Sequence, residues 1–254
     1  MKDQRENMEA IKKNIPQLLI GLSVIITAYI LGNAIQNRNR HEDAIAVTGK
    51  AEKTFTSDLI VWRGQYSRYA PTLKDAYDML NADTRLLNDY LTSKGMKKED
   101  LVFSAVEIEK VYRTETDRDG NSTSYFNGYN LSQEVKIESK EVNKVEALSR
   151  EVTELINKGL ELNSMRPEYY YTQLAALKIE MIAEATKDAT LRAQKIAEES
   201  GCSLGVLKNG DMGVFQIVAP NSSEDEYSWG GSFNTSSKEK SASITMSLRF
   251  SVED

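Results

Sequence analysis

The stretch Ile15–Ile35 reads IPQLLIGLSVIITAYILGNAI and divides the chain into a short tail, an apolar run and a large body. It holds no charged residue over 21 positions. At about 1.5 Å rise per residue, a helix of this length spans a hydrocarbon core roughly 30 Å thick. Pro16 lies in the first turn, where a missing N–H costs nothing, and Tyr29 lies near the far interface. The pattern predicts a transmembrane signal anchor over 15–35.

A cleaved signal peptide is the alternative interpretation, because Lys12 and Lys13 form a basic segment in front of the apolar run. The apolar segment of a signal peptide is normally only about 7 to 15 residues long, and a small-x-small cleavage site follows it. Here the run is longer, and Gly32-Asn33-Ala34 matches such a site poorly. We therefore expect an uncleaved anchor, followed by a charged spacer over 36–43.

Positive charges that flank the apolar run predict its orientation. Four basic residues precede it and two follow it closely: Lys2, Arg5, Lys12, Lys13, Arg38 and Arg40. Because the cytoplasmic flanks of membrane spans carry an excess of lysine and arginine, residues 1–14 are expected to be a cytoplasmic tail. The body, residues 44–254, is then expected outside the cytoplasmic membrane.

The composition limits the classes of function open to the body. The chain has 38 acidic and 32 basic residues, a net charge of −6 and no run of lysine or arginine. Nucleic-acid binding requires a concentrated basic face, so we expect no nucleic-acid partner. The single cysteine, Cys202, excludes an intramolecular disulfide and is predicted to be a small buried hydrophobe.

The chain lacks the groups that common catalytic sites require. Its one histidine, His41, lies in the spacer, so no serine or cysteine of the body has the usual base. Zinc sites need more histidine and cysteine ligands than the chain holds, and no glycine-rich phosphate loop follows a strand. We therefore predict a protein that is not an enzyme, with no catalytic residue, cofactor or metal. A hydrolase that uses only carboxylates is the remaining enzymatic alternative.

Hydrophobic periodicity in residues 44–254 predicts an α+β domain of antiparallel or mixed sheet with three long helices. The helices are expected to begin near Leu73, Lys140 and Gln173 and to end at glycines 95, 159 and 201. Thr72 and Ser139 are the candidate caps of the first two helices, and the third carries an alanine-rich stripe. Seven strand-like segments accompany the helices: 44–49, 59–69, 101–113, 125–138, 160–172, 206–219 and 242–252.

Six aromatic residues, three on a predicted strand and three in a polar segment, are the candidate interface residues: Tyr169, Tyr170, Tyr171, Tyr227, Trp229 and Phe233. On a strand, alternate tyrosines face opposite sides, so sheet packing and contact between subunits both fit the first three. The polar segment, residues 220–240, has a composition typical of a disordered loop. Aromatic rings within it favour docking on a partner instead.

The order of predicted elements and four motifs resemble the SIMPL-domain family, small α/β proteins of bacterial envelopes. The motifs are Val47-Thr48-Gly49, Lys94-Gly95 with Glu99-Asp100-Leu101, Asn127-Gly128-Tyr129, and the alanine-rich Ala183–Gly201 with Leu204-Gly205. This resemblance covers about residues 44–253. It implies an α/β fold, an extracytoplasmic location, a tendency to form ring- or channel-like oligomers, and links to envelope integrity and stress resistance. It implies no established enzymatic activity.

These features together predict a membrane-anchored envelope protein whose SIMPL-like domain forms a homo-oligomer. Membrane attachment is assigned to Ile15–Ile35. The alternative is a monomeric binding module that presents the 220–240 segment and the tyrosine strand to another envelope protein or a small ligand.

Overall fold

The computed structural model describes residues 21–34, 44–116, 118–222 and 230–253. The described residues form four α-helices: α1 (21–34), α2 (Leu73–Ser93), α3 (Val142–Glu151) and α4 (Leu174–Ser200). They also form ten strands: β1 (Ala44–Thr56), β2 (Leu59–Ala70), β3 (Leu101–Phe103), β4 (Glu107–Thr116), β5 (Ser122–Ser139), β6 (Leu162–Ser164), β7 (Glu168–Tyr170), β8 (Ser203–Met212), β9 (Gln216–Val218) and β10 (Glu239–Glu253).

The ten strands form two sheets, which confirms the predicted α+β class. The six-stranded sheet has the order β3-β5-β2-β6, with β4 paired to β5 and β7 paired to β2. All its pairs are antiparallel. The longest of them joins β2 to β5, from Ile60 opposite Ser139 to Ala70 opposite Tyr129. The four-stranded sheet has the order β1-β10-β8, with β9 paired to β10.

The chain divides into two compact units. The larger unit comprises Val47–Arg192 and Gly210–Leu248, and it contains two hydrophobic cores. The described residues of the smaller unit are 21–34, 44–46, 193–209 and 249–253. In this smaller unit, Cys202 is half-buried rather than buried, and its Sγ donates to the Ala197 carbonyl oxygen at 3.5 Å.

The first core lies between α2, α3 and the six-stranded sheet. Trp62 and Tyr66 of β2 are fully buried, as are Leu80 and Leu87 of α2. The Tyr66 hydroxyl is 2.8 Å from Thr84 Oγ1 and donates to Gln133 Oε1 at 2.7 Å. Burial raises the pKa of Tyr66 to about 12, so the phenol stays neutral and keeps its proton for these bonds. A buried hydroxyl thus has partners inside the core.

Close contact between α4 and β1 explains the alanine-rich stripe of the sequence. Ala185 and Ala189 of α4 are fully buried. A Cβ placed on Gly49 of β1 would overlap the Ala185 carbonyl oxygen and the Ala189 nitrogen. The Lys50 N–H donates to Asp188 Oδ2 at 2.9 Å across the same contact. Small residues on both elements therefore allow the helix to lie directly on the strand.

The prediction of three long helices is wrong for the middle helix. α3 ends at Glu151, and the chain continues as a 3-10 helix over Val152–Lys158 until Gly159, which has φ 84°. Apolar spacing persists through the change, so periodicity does not reveal it, and such turns are frequent at helix ends. Ser139 does not cap α3 directly; its Oγ accepts from the Glu141 N–H at 3.1 Å.

The predicted cap of α2 is confirmed, whereas three predicted strands are interrupted. Thr72 Oγ1 accepts from the Asp75 N–H at 3.2 Å. The segments 101–113, 160–172 and 206–219 each form two strands, namely β3 with β4, β6 with β7, and β8 with β9. Pro167 lies in the second interruption, because proline has no N–H to donate to a ladder.

The predicted membrane span is described only in part. Residues 21–34 form α1, and all of them are exposed. Residues 15–20, Ile35, the predicted tail over 1–14 and the predicted spacer over 36–43 lie outside the described residues. Within the described part of the chain, no helix combines the length and apolar character needed to cross a membrane.

A buried lysine fixes the segment that leads into β10. Lys240 has no exposed surface and no carboxylate partner among the described residues. Its Nζ donates to the Asn234 carbonyl at 2.5 Å and to the Ser237 carbonyl at 2.6 Å. Burial lowers the pKa of the Lys240 ammonium to about 8. The folded chain therefore binds this proton more weakly than the unfolded chain does.

The substitution Gly49→Ala is expected to lower the free energy of unfolding by about 1–3 kcal/mol, because the added methyl group meets helix backbone, which cannot rotate away. Urea unfolding of the full-length chain in detergent measures the change. Gly210→Ala is the matched control, since its Cβ would meet only the end of the Leu248 side chain. Equal losses in the two variants would contradict the close contact.

Lys240→Met is expected to change how stability depends on pH. Between about pH 8 and about pH 10.5 the unfolded chain binds the Lys240 proton and the folded chain does not, so the free energy of unfolding rises with pH. The unmodified chain should therefore gain stability relative to the variant as the pH is raised across this range. Urea unfolding at several pH values measures both chains, and parallel curves would refute the prediction.

Candidate functional site

The end of β4 and the first part of β5 form a two-stranded ribbon, here called the β4–β5 ribbon (residues 111–116 and 122–128). Its register runs from Val111 opposite Gly128 to Thr116 opposite Ser122, whereas residues 107–110 of β4 lie opposite residues 129–132 of β5, which also pair with β2. Every β4 residue except Val111 is exposed, and so are the first six residues of β5. Both faces of the ribbon are therefore open. A two-stranded ribbon is at best marginally stable in water without a packed face.

An extra residue in β5 changes which side chains share a face of the ribbon. Val111 lies opposite Gly128 and Tyr112 lies opposite Phe126, so Asn127 is a β-bulge. Beyond the bulge, the Phe126 ring lies 6.0 Å from the Tyr112 ring and 5.1 Å from the Tyr129 ring, both edge-on. The bulge thus produces one continuous row of aromatic rings.

Aromatic side chains are exposed on both faces of the ribbon. Tyr112 is 56% exposed, Phe126 is 50% exposed and Tyr125 is 54% exposed. Tyr112 and Phe126 share one face, and Tyr125 lies opposite Arg113 on the other. Rings of this kind supply large contact areas at low entropic cost. The ribbon is therefore suited to bind another protein surface.

β4 is also an open edge of the six-stranded sheet. Among the described residues it pairs with β5 alone, so the N–H and C=O groups on its other side have no strand partner. The opposite edge consists of β6 and β7, each of three residues. Very short strands are a common protection of sheet edges. β4 is instead a long edge strand, with charged side chains at five of its ten positions and the exposed Tyr112 among them.

The strand-like segments 101–113 and 125–138 were predicted from the sequence, but the exposed ribbon that they form was not. The alternation of residues in 101–113 and 125–138 indicated strands, but it did not indicate where the supporting sheet ends. The partner strand β2 ends at Ala70, opposite Tyr129. Residues of β5 before Tyr129 therefore have no strand partner on the β2 side, although the Tyr69 hydroxyl of β2 still donates to the Asn127 carbonyl at 2.6 Å. The aromatic residues of these two segments were the only sequence signal of an exposed interaction surface.

The three predicted interface tyrosines lie in different surroundings. Tyr169 is 7% exposed and belongs to the first core. The ring of Tyr171 lies 4.7 Å from that of Phe55, next to the second core, which residues of β1, α4, β9 and β10 form. Tyr170 lies 6.4 Å from Phe233, measured between ring centroids. The structure thus brings together one member of each predicted aromatic group, and their role in an interface stays a prediction.

The described part of the 220–240 segment is held by hydrogen bonds. The Asn234 N–H donates to the Ile217 carbonyl at 2.9 Å, and the Tyr169 N–H donates to the Thr235 carbonyl at 2.7 Å. Phe233 nevertheless keeps 45% of its surface exposed. Tyr227 and Trp229 lie outside the described residues.

The described residues contain no cluster of three or more histidine, cysteine, aspartate or glutamate side chains placed to bind a metal. A cavity of about 540 Å³ lies at the start of α3, beside Ser57 and Lys238. Lys238 Nζ already donates to Asn143 Oδ1 at 2.5 Å and to Glu146 Oε2 at 3.0 Å. Lys238 is therefore satisfied by the protein, whereas the Ser57 Oγ is buried and has no hydrogen-bond partner among the described residues.

Two curated proteins are similar to this chain. They are the 26 kDa periplasmic immunogenic proteins of Brucella abortus (strain S19) and of Brucella melitensis biotype 1, each 25% identical over 162 residues. Each match covers 63% of this chain and 63% of the relative, so the chain spans less than two thirds of the relatives' length.

A family model matches nearly the whole body of the chain. The matched residues are 45–252, and the family is SIMPL, described as "Protein of unknown function (DUF541)". The match includes both sheets, from β1 to β10, and all of the β4–β5 ribbon. It confirms the resemblance found in the sequence motifs, and this chain therefore belongs to the SIMPL family.

Proposed function

We propose that this chain is a non-enzymatic, membrane-anchored envelope protein that self-associates outside the cytoplasmic membrane through the β4–β5 ribbon. The observation that carries the proposal is the exposure of the ribbon. It combines an open strand edge with three half-exposed rings, and its contacts with the rest of the sheet are made by Tyr69 and Tyr129 at its base. A second copy of the chain would supply both the missing strand and the missing packing.

Burial of the ribbon rings by a second copy sets an upper limit on the apolar gain from association. A large aromatic side chain buries about 150–250 Å² when enclosed, so three half-exposed rings can bury on the order of 300 Å² more per copy. At about 25 cal/mol per Å², two copies would gain at most roughly 15 kcal/mol. Association costs about 4–15 kcal/mol in lost translational and rotational freedom. Backbone hydrogen bonds along β4 would add to this apolar gain and would fix the orientation of the two copies.

Two observations support the proposed location. The uncharged run Ile15–Ile35 is long enough to span a bilayer, and basic residues are more frequent before it than after it. The Brucella relatives are named as periplasmic proteins. An anchored chain with its body on the periplasmic side agrees with both, and a link to envelope integrity or stress would follow from that position.

A monomeric binding module is the second candidate function. The contact between Tyr170 and Phe233 favours it, because this contact brings the tyrosine strand and the polar segment to one place. Phe233 is still 45% exposed there. A partner envelope protein or a small ligand that stacks on this ring would use it without any contact between copies.

Replacing two ribbon rings, Tyr112→Ser with Phe126→Ser, is expected to weaken self-association at least about tenfold, because the shared aromatic face is lost. Light scattering of the full-length chain in detergent gives the mass of each variant across a range of concentrations. Ile179→Ser is the matched control, since Ile179 of α4 is 71% exposed and lies outside the ribbon. An unmodified chain that is monomeric would refute the proposal and favour the binding module.

Membrane attachment is tested by extraction of membranes with alkaline carbonate. The full-length chain is expected to remain with the membrane pellet, because an apolar helix of about 20 residues does not leave the bilayer when peripheral contacts are broken. A version with Ile25→Asp and Ile26→Asp should be released into the supernatant. Release of the unmodified chain would contradict the anchor.

A further inference from the structure

We infer that β4 pairs with β4 of a second copy in antiparallel register, about a two-fold axis that passes through Val111. The inference rests on the proposed self-association and specifies its geometry. It follows from the open edge of β4, from the order of charges along the strand and from the rule that governs antiparallel pairing.

Antiparallel pairing restricts where the two-fold axis can lie. Residues directly opposite each other in an antiparallel pair point to the same face of the sheet and share the same hydrogen-bonding type. A strand that pairs with its own copy must therefore place odd-numbered residues opposite odd-numbered residues. The axis then lies midway between one β4 residue and the same residue of the partner, and it never falls between two consecutive positions of the strand.

The charges of β4 exclude the other central positions for the axis. An axis at Glu109, Lys110 or Arg113 would place two identical charges directly opposite each other. An axis at Ile108 would place Glu107 opposite the partner's Glu109, and an axis at Tyr112 would place Glu109 opposite the partner's Glu115 twice. Like charges in these positions destabilise strand pairs. An axis at Val111 has one like-charge pair, Glu107 opposite the partner's Glu115, which lies further out, at the ends of a ladder of nine β4 residues. An axis at Thr114 would pair only five β4 residues.

The register about Val111 is self-complementary on both faces. On one face, Val111 meets the partner's Val111, and Glu109 meets the partner's Arg113 on each side of the axis. On the other face, Lys110 meets the partner's Tyr112, where an ammonium group and an aromatic ring attract each other. All seven central positions therefore have a compatible neighbour, including Ile108 opposite the partner's Thr114.

Arg113 already has a carboxylate partner within its own chain. Its Nη2 lies 2.8 Å from Glu115 Oε1, and both side chains are exposed. In the pair of strands, the guanidinium would lie between Glu115 and the partner's Glu109. Only Glu107 opposite the partner's Glu115 is unfavourable, at the two solvated ends of the ladder. Exposed charge pairs stabilise only weakly, so the charges select the register, while backbone pairing along β4 and the contacts of Tyr112 drive association.

A cysteine scan along β4 tests the position of the axis. In a full-length chain that carries Cys202→Ser, single substitutions Lys110→Cys, Val111→Cys and Tyr112→Cys are oxidised in detergent. Only the residue on the axis lies directly opposite its own copy, with Cβ atoms about 4.5–5.5 Å apart. We expect Val111→Cys to form the disulfide-linked dimer at least about tenfold faster than the other two.

Charge exchange tests the same register without a covalent link. Glu109→Arg and Arg113→Glu should each weaken the dimer at least about tenfold, and the double variant should recover the affinity of the unmodified chain, because it restores both opposite pairs. Glu99→Arg, a charge reversal in the 3-10 helix Lys98–Asp100, is the control that should leave the mass unchanged.

The two experiments separate the register from the proposed function. If the unmodified chain is monomeric at all concentrations, self-association itself fails. If it associates but cross-links best through position 110 or 112, or if the double charge variant stays dissociated, the axis at Val111 is wrong while self-association stands. Because a two-fold contact closes at two copies, a larger ring would require a second interface.

Discussion

The pairing of β2 with β5 is the constraint on which the rest of the larger unit depends. The ladder runs without interruption from Ile60 opposite Ser139 to Ala70 opposite Tyr129. The four other strands of the sheet attach to one of these two strands, and α2 packs on both of them. β5 has 18 residues and β2 has 12, so β5 extends past the end of its partner. The exposed ribbon is a direct result of this difference in length.

Local sequence signals predicted the helices and strands of the fold. The long-range register between strands, which these signals do not contain, decided which of their residues are exposed. Thr72 and the glycines at 95, 159 and 201 mark helix ends because capping depends on neighbouring residues alone. The close fit of Gly49 against α4 agrees with the alanine-rich stripe, because only small residues permit such a contact. The change from α3 to a 3-10 helix leaves the apolar spacing intact and therefore has no signal in the periodicity.

The candidate interaction surface depends on information that a single strand pattern does not contain. Tyr112 and Phe126 have the composition of ordinary sheet residues, and their exposure depends on where β2 ends. Tyr169 and Tyr171 show the converse. They form a conspicuous run in the sequence, yet each lies beside one of the two cores. An aromatic side chain in the sequence is thus a candidate for burial. The tertiary register decides whether the domain itself buries this side chain or a partner does.

The bulge at Asn127 has a consequence for how such a surface can change. A strand alternates with a period of two, and the bulge absorbs one additional residue so that Phe126 lies opposite Tyr112 and Tyr125 opposite Arg113. Removal of Asn127 would therefore leave each ring on its present face, because the shortened β5 would pair with β4 at the same positions without a bulge. The deletion would instead remove the local bend and the additional twist that a bulge gives its strand. The number of β5 residues at this point thus sets the direction of the ribbon, whereas β4 sets which side chains form its faces.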